Sequence, residues 1–276
     1  MEVKELPFYK KGRIIMSKYD KGRHSKKSVF LFRILTFLFI ILFIISIIYI
    51  TFSLINSNKN KLLYKDIEIT TPKDDEIHSK VVTKNMQKVI NLKQKNEDII
   101  GWIQIDNTII DYPVLQATDN NYYLTRNYKK EKSKYGSIFA KSECDIKNNN
   151  SNVIIYGHNM KDEQMFNTLL KYENKNFYDE HKEIKIATES EECKYSIVSV
   201  FKSRVFYQDE KDAFRYYNYT KFDNEEEYNT FIKKCKEIQL YDTGVSAQYG
   251  EQLVTLITCE YSQDNGRMIV VAKKES

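Results

Sequence analysis

The sequence predicts a mainly β domain, either a barrel or a sandwich, that carries a few helices and follows one membrane-spanning helix. Short apolar and β-branched runs alternate with turn signals every 8–15 residues, which is typical of all-β architectures. One uncharged run near the N-terminus is much longer than any strand. We expect four regions, which are a basic tail at 1–33, a transmembrane signal-anchor at 34–55, a linker at 56–75 and a globular domain at 76–276.

Residues 34–55 form the predicted anchor. All 22 residues are uncharged, and roughly 20 apolar residues are enough to cross the hydrocarbon core of a bilayer. A cleaved signal peptide is one alternative, but its apolar region spans about 7–15 residues and is followed by a small-x-small cleavage site, which residues 56–59 do not offer. A buried helix of a soluble protein is the other alternative. We expect an uncleaved, single-pass anchor.

The charge of the chain is concentrated in its N-terminal tail. Residues 1–33 carry ten Lys or Arg against three acidic residues, a net charge of +7. Because the formal net charge of the whole chain is +5, the remaining residues carry a net charge of −2. The positive-inside rule predicts that this tail stays in the cytoplasm and that the domain lies outside the cell. The nearly neutral domain lacks the basic surface that nucleic acids require, so we expect no nucleic-acid partner.

The segment 56–75 is polar and rich in Lys and Asn, which predicts a linker. From 76 to 100, apolar residues recur mostly three or four positions apart, which predicts one or two amphipathic helices. This stripe either packs on the domain or forms a docking face for a partner. Its members are Ile77, Val81, Val82, Met86, Val89, Ile90 and Ile99.

The rest of the chain is dominated by predicted strands. They cover 102–105, 109–115, 137–140, 152–158, 183–188, 194–202, 253–258 and 268–272. Two segments have helical periodicity instead, 163–172 and 223–240. The second forms a helix-bearing insertion before the last two strands, with Tyr228, Phe231, Ile232, Cys235 and Ile238 on one face.

The last two predicted strands bring a cysteine next to an arginine. Cys259 ends the first strand, Arg267 begins the second, and Asn265-Gly266 between them is a turn signal. A hairpin therefore places the two side chains together at one end of a sheet. A guanidinium beside a thiol stabilises a thiolate and can hold an oxyanion. A core cysteine beside a surface arginine would produce the same pattern.

His158 is the candidate acid/base. It lies at the end of the apolar strand 152–158, directly after Gly157. Cysteine nucleophiles require a nearby acid/base, which is most often His. A histidine at the rim of the domain without a catalytic role is the alternative. The sequence contains no Cys-x-x-Cys or His-x-x-x-His spacing and no glycine-rich phosphate loop, so we expect no zinc site and no phosphate-binding cofactor.

The other three cysteines have different predicted roles. Cys235 lies on the apolar face of its helix, which predicts a small core residue. Cys144 and Cys193 occupy polar surroundings in a domain predicted to be extracellular, where they could pair, although nothing in the sequence requires a disulfide. Cys259 therefore remains the candidate nucleophile.

These residues carry a family resemblance. Tyr156-Gly157-His158, Thr255-Leu256-Ile257-Thr258-Cys259 and Arg267 resemble the His, TLxTC and Arg signatures of sortases. Three further segments resemble class B sortases in particular, over roughly residues 85–273. They are Ile99-Ile100-Gly101-Trp102-Ile103 with the following Ile109-Ile110-Asp111-Tyr112-Pro113-Val114, then Gly136-Ser137-Ile138-Phe139, and the insertion at 223–240.

The resemblance implies an eight-stranded sortase-type β-barrel with N-terminal helices, and a cysteine transpeptidase of Gram-positive bacteria. Such an enzyme cleaves a C-terminal sorting signal of a secreted protein after its Thr and attaches the protein to a peptidoglycan amine. Cys259 would attack the Thr carbonyl, His158 would transfer protons, and Arg267 would hold the substrate and the oxyanion. Neither a metal nor a cofactor is required.

The resemblance also implies substrate contacts. Asn120 and Leu124 resemble a segment that lines the peptide groove, Tyr217 resembles an aromatic residue of the loop before the insertion helix, and Glu260 follows Cys259 as in class B relatives. Two rival functions stay open. One is a sortase that polymerises pilins, and the other is a membrane-anchored binding module in which these residues are structural.

Overall fold

The computed structural model describes residues 26–69, 82–148 and 152–275. The chain divides into two compact units, Met1–Ile55 and Asn56–Ser276. The described part of the first unit is helical and belongs to helix α1, Lys26–Ile69. Within the described residues, α1 is the one helix long and apolar enough to cross a membrane, and its apolar side chains between residues 29 and 55 are exposed. It is compatible with the predicted single-pass anchor.

The second unit contains a closed barrel of eight strands. Around the barrel the order is β1-β2-β3-β4-β7-β8-β6-β5, and β1 also pairs with β5. The β2–β3 and β4–β7 pairs are parallel, whereas the other pairs are antiparallel. The strands are β1 Ile99–Gln104, β2 Asp111–Leu115, β3 Ile138–Ala140, β4 Asn152–Tyr156, β5 Glu183–Ala187, β6 Glu192–Arg204, β7 Leu253–Cys259 and β8 Gly266–Lys274. The prediction of a mainly β barrel is confirmed.

The central strands are apolar without strict alternation because both of their faces are covered. Every residue of β7 before Cys259 is buried. One face of β7 and β8 points into the barrel, and the 3₁₀ helix Asn167–Glu173 packs outside both strands. A strand buried on both sides gains free energy from apolar residues on either face. The two polar residues of 253–258, Thr255 and Thr258, are buried as well, and their hydroxyls donate to Asn152 Oδ1 and to the Gly157 carbonyl.

The helices of the second unit differ from the predictions in type or length. Helix α2 is Lys84–Lys93, whereas Ile99 belongs to β1, and the predicted stripe residues Ile77 and Val81 lie outside the described residues. The segment predicted as a helix at 163–172 overlaps the 3₁₀ helix Asn167–Glu173, which is followed by the short α3, Lys175–Glu180. The insertion helix α4 is shorter than predicted, Glu225–Glu237.

Helix α4 begins where its sequence provides a cap. The Asn224 side chain accepts a hydrogen bond from the Glu227 amide at 2.9 Å, and Glu225 to Glu227 place three acidic residues in the first turn. Both features offset the positive end of the helix dipole. The buried face carries Tyr228, Phe231 and Cys235. Ile238 is exposed because α4 ends before it.

The predicted linker is the main difference between sequence and structure. Residues 56–69 continue helix α1 and belong to the same unit as the barrel, whereas residues 70–75 of the predicted linker lie outside the described residues. Ser57, Asn60, Tyr64 and Ile67 are buried, at a spacing of three or four that places them on one helical face. Half of this buried face is polar, so the segment has no apolar stripe and its sequence resembles a solvated linker.

Helix α2 is held on the barrel by a buried charge. Lys88 is only 1% exposed, and its Nζ lies 3.1 Å from Asp111 Oδ1 and 4.2 Å from the centre of the Trp102 ring. The Trp102 indole also donates to Asp111. Asp111 is therefore the group that compensates both a buried ammonium and a buried N–H.

We expect Asp111→Ala to lower the melting temperature by roughly 6–12 °C, because an unpaired buried charge costs about 3 kcal/mol. Asp106→Ala is the matched control, since Asp106 pairs with Lys185 at 2.6 Å but is 56% exposed. A solvated pair of this kind contributes little. Thermal unfolding of both variants followed by circular dichroism checks the difference, and equal melting temperatures would contradict it.

Candidate active site

The parallel pairing of β4 with β7 brings His158 and Cys259 to one edge of the barrel. The register joins Tyr156 to Ile257, and both functional residues follow this pair by two positions. The pairing continues past the strand end, because the Gly157 amide donates to the Ile257 carbonyl at 3.2 Å and the Thr258 hydroxyl donates to the Gly157 carbonyl at 2.9 Å. The ends of both strands are therefore fixed to each other.

Gly157 makes this close approach possible. A Cβ at position 157 would lie 2.5 Å from the Ile138 Cδ1 and 2.6 Å from the Phe166 Cγ. No side chain fits there without displacing β3 or the segment that follows His158. The glycine therefore sets how deeply the chain before His158 packs against the barrel.

Arg267 lies directly opposite Cys259, as the hairpin pattern predicts. The two residues are partners in the β7–β8 register. One guanidinium nitrogen, Nη1, donates to the Gly266 carbonyl at 2.8 Å and the Asn265 carbonyl at 3.1 Å. Among the described residues, the other two guanidinium nitrogens make no hydrogen bond. The side chain is thus oriented by its own turn and retains donors for a ligand.

His158, Cys259 and Arg267 line one cleft of about 310 Å³. Asn120, Leu124 and Tyr217, which the resemblance implies as substrate contacts, line the same cleft. The remaining lining residues are Phe139, Lys141, Tyr156, Gly157, Val205, Tyr216, Ile257 and Thr258. The cleft therefore joins a thiol, an imidazole and a guanidinium to a largely apolar and aromatic wall. Burial raises the pKa of both Tyr156 and Tyr216, so these hydroxyls stay neutral.

The imidazole of His158 contacts the 3₁₀ helix Tyr122–Leu124. Its Nε2 lies 2.7 Å from the Leu124 carbonyl. Because a carbonyl can only accept, Nε2 carries the proton in this contact and Nδ1 is left as the basic nitrogen. Leu124 therefore contributes its side chain to the cleft and its carbonyl to the orientation of the imidazole.

Glu260 lies outside the cleft. Its carboxylate accepts from the Ser262 amide at 2.9 Å and the Ser262 hydroxyl at 2.6 Å, and lies 3.8 Å from Lys202 Nζ. The geometry thus assigns Glu260 to the turn between β7 and β8. Asn120 does line the cleft, but its amide is already engaged, donating to Glu143 at 2.9 Å and accepting from the Ser142 amide at 2.7 Å.

Lys141 is a cleft residue that the sequence reasoning missed. It follows β3, and its Nζ donates to the Tyr217 carbonyl at 2.9 Å while lying 3.5 Å from Glu143. It thus connects the barrel to the loop before α4. The Asn120 hydrogen bond, followed by bonds from Ser142 and the charge of Lys141, lowers the pKa of Glu143 to about 2. A charged residue directly after an apolar strand was the available signal in the sequence.

Asn159 is a second residue that the sequence reasoning missed. Its Nδ2 donates to the Cys259 carbonyl at 3.0 Å, and its Oδ1 accepts from Asn167 at 2.7 Å. Asn159 directly follows His158, so this hydrogen bond links the backbone next to His158 to the backbone of Cys259. Only its position next to His158 in the sequence could have indicated this role.

All four cysteines are free. Burial raises the pKa of Cys144 to about 11 and also raises the pKa of Cys193 and Cys235, so these three thiols stay protonated at neutral pH. Cys144 accepts from the Ile154 amide and donates to the Asn152 carbonyl, inside the domain. Within the described residues, Cys259 is the one thiol that lines the cleft.

Comparisons with known proteins agree with this barrel and cleft. Residues 103–275 match the sortase domain family. Sortase B of Listeria monocytogenes is 35% identical over 189 residues, which cover 66% of this chain and 72% of the relative. Sortase B of Staphylococcus aureus is 34% identical over 185 residues, with the same coverage of both chains. The chain therefore belongs to the sortase family, and within that family to class B.

Solved structures support the same assignment. Sortase B of Bacillus anthracis in complex with AAEK1 superimposes with a TM-score of 0.67 at 33% identity, over 80% of this chain and 98% of that one. A Staphylococcus aureus sortase B–substrate complex gives a TM-score of 0.66 at 30% identity, over 80% and 96%. The protein is accordingly a cysteine transpeptidase, and the alternative of a non-catalytic binding module is set aside.

Proposed function

We propose that this transpeptidase is anchored in the membrane, cleaves a C-terminal sorting signal after a Thr and transfers the new carboxyl end to a peptidoglycan amine through a thioacyl intermediate on Cys259. One observation carries this proposal, namely that Cys259, His158 and Arg267 line a single cleft whose other walls suit an extended peptide. The class B relatives favour attachment to the cell wall over polymerisation of pilins.

The first half of the proposed reaction forms the thioacyl intermediate. The proton of the Cys259 thiol passes to Nδ1 of His158, the resulting thiolate attacks the Thr carbonyl carbon, and the carbonyl oxygen becomes an oxyanion. His158 gives a proton to the leaving amine as the C–N bond breaks. The free donors of Arg267, opposite Cys259 in the sheet, are suited to hold the substrate and the oxyanion.

The second half transfers the acyl group. The accepting amine attacks the thioester carbon, His158 takes a proton from that nitrogen, and the C–S bond breaks to return Cys259 as a thiolate. The thioester conserves the energy of the cleaved amide, so a new amide can form without ATP. Cys259 and His158 are held together through both steps by the bonds between their strand ends.

The four residues proposed to act on the substrate differ in how they would do so. Leu124 and Tyr217 offer apolar and aromatic surface to the sorting peptide. Asn120, whose amide is engaged by Glu143 and Ser142, is proposed to shape the wall of the cleft and to contact the peptide through the remaining hydrogen-bonding capacity of its side chain. We propose that Glu260 acts on the substrate through the turn that it stabilises next to Cys259.

The reaction is tested by trapping its intermediate. Full-length protein in detergent is incubated with a synthetic peptide library, and cleavage is read by mass spectrometry. We expect cleavage after Thr and a mass increase at Cys259 that hydroxylamine removes, because a thioester reacts with this nucleophile. Cys259→Ala should fold normally and form no adduct. Cleavage by Cys259→Ala within about tenfold of the wild-type rate would eliminate Cys259 as the nucleophile.

A second prediction concerns Arg267→Lys. Lysine keeps the charge but lacks the planar, multi-donor fork, and the loss of one oxyanion donor typically costs about 10²–10³ in rate. We expect an unchanged melting curve, a loss of at least about a hundredfold in kcat/KM, and normal alkylation of Cys259 by iodoacetamide. Near-normal peptide cleavage would leave charge as the only role of this residue.

A third prediction concerns the anchor. If residues 34–55 span the membrane with the basic tail inside, protease added to intact cells should digest the chain beyond about Asn56 and spare residues 1–33. Antibodies against tags at the two termini follow the fragments. Release of the domain into the medium without protease would instead indicate a cleaved signal peptide.

A further inference from the structure

The segment that follows His158 is a closed and strained loop. Residues 158–166 fold back on themselves, because the Phe166 amide donates to the His158 carbonyl at 3.0 Å and Asn159 forms a β-bridge with Met165. Glu163 and Met165 have φ values of 62° and 58°, in the left-handed region that non-glycine residues rarely adopt. Such backbone persists only where surrounding contacts hold it.

Those contacts come from the part of α1 that follows the predicted membrane span. Asn60 Nδ2 donates to the Gln164 Oε1 at 2.8 Å and lies 3.9 Å from the Met165 sulfur. Gln164 Nε2 lies 3.0 Å from the Ser57 hydroxyl and 3.3 Å from the Ser57 carbonyl. Gln164 is only 1% exposed, and Asn60 is also buried. The helix therefore contacts the loop at Met165, which has a positive φ, and at Gln164, which lies between Met165 and the other positive-φ residue, Glu163.

The barrel holds the same loop from its other side. The Met165 amide donates to the Tyr112 hydroxyl at 3.1 Å, and Tyr64 of α1 packs edge-on against the Tyr112 ring at 4.9 Å. Tyr135 donates to Asp162 at 2.6 Å. Burial opposes ionisation of Asp162, but hydrogen bonds from Tyr135, Ser57 and Gln164 outweigh it and keep the pKa of Asp162 below its usual value. The loop thus lies between a strand of the barrel and helix α1.

The loop also leads directly to the reacting groups. His158 begins it, and Asn159 connects it to the Cys259 carbonyl. A change in the position of Gln164 or Met165 is therefore transmitted to His158 through the bridge and the Phe166–His158 bond.

We propose that residues 57–64 of helix α1 are a positioning element for the active site, in which Asn60 and Ser57 hold the 158–166 loop so that His158 faces Cys259. This proposal rests on the proposed roles of His158 and Cys259. It assigns to the helix that carries the membrane anchor a second task, which is to keep the acid/base in register with the nucleophile.

The test compares Asn60→Ala with Lys61→Ala in the full chain in detergent. Asn60→Ala removes the contacts to Gln164 and Met165, whereas Lys61 is the next residue of the same helix, is exposed, and has no hydrogen bond or ion pair among the described residues. Three quantities are measured, which are amide hydrogen exchange across 158–166, the pH profile of Cys259 alkylation by iodoacetamide, and kcat and KM for the library peptide that the wild-type enzyme cleaves fastest.

We expect Asn60→Ala to exchange faster within 158–166 only, to shift the alkylation profile, and to lower kcat by about tenfold with KM within about twofold. Ser57→Ala removes one acceptor of Gln164 and one donor to Asp162 but leaves the contacts of Asn60, so it should give a smaller loss of the same kind, and Lys61→Ala should match the wild type. If Asn60→Ala does not fold, the same three measurements on Ser57→Ala test the proposal.

Unchanged exchange in 158–166, or faster exchange there with normal kcat and a normal alkylation profile, would overturn the proposal. If the wild-type enzyme cleaves no peptide, the proposed function fails while the exchange and alkylation measurements still test the role of the helix.

Discussion

The parallel pairing of β4 with β7 is the constraint on which the site depends. Parallel neighbours end at the same edge of a sheet, so two segments about a hundred residues apart in the chain deliver His158 and Cys259 side by side. Arg267 needs only the local β7–β8 turn to join them. If β7 slipped by one residue against β4, its side chains would exchange faces and Cys259 would leave the cleft. The closed barrel prevents such a slip, because β7 is paired on both edges.

The sequence predicted those parts of the fold whose causes are local. Strand runs, the final hairpin and the facing of Cys259 by Arg267 follow from periodicity and turn residues, and the structure agrees. Helix ends differ from the prediction, as in α4, because they depend on caps such as Asn224. The parallel partner of β7 has no local signature at all, so the association of His158 with Cys259 came from chemical reasoning and the family resemblance.

Lys141 and Asn159 were not predicted as site residues because their contacts are with residues far away in the sequence. Lys141 reaches the Tyr217 carbonyl, and Asn159 reaches the Cys259 carbonyl, across 76 and 100 residues. The segment 56–69 was misjudged for the same reason, since a buried face that contains Ser57 and Asn60 satisfies its polar groups on Gln164. Polarity in the sequence indicates exposure only when no partner is available elsewhere in the fold.

The position of β7 and β8 after the other six strands in the sequence governs when the barrel can close. Until residues 253–274 are in place, β4 and β6 lack their neighbours and the barrel remains open. These pairings are long-range in sequence, and such contacts form late and slowly in folding. A chain without residues 253–274 therefore contains His158 but lacks Cys259 and Arg267, and the cleft is completed only with closure of the barrel.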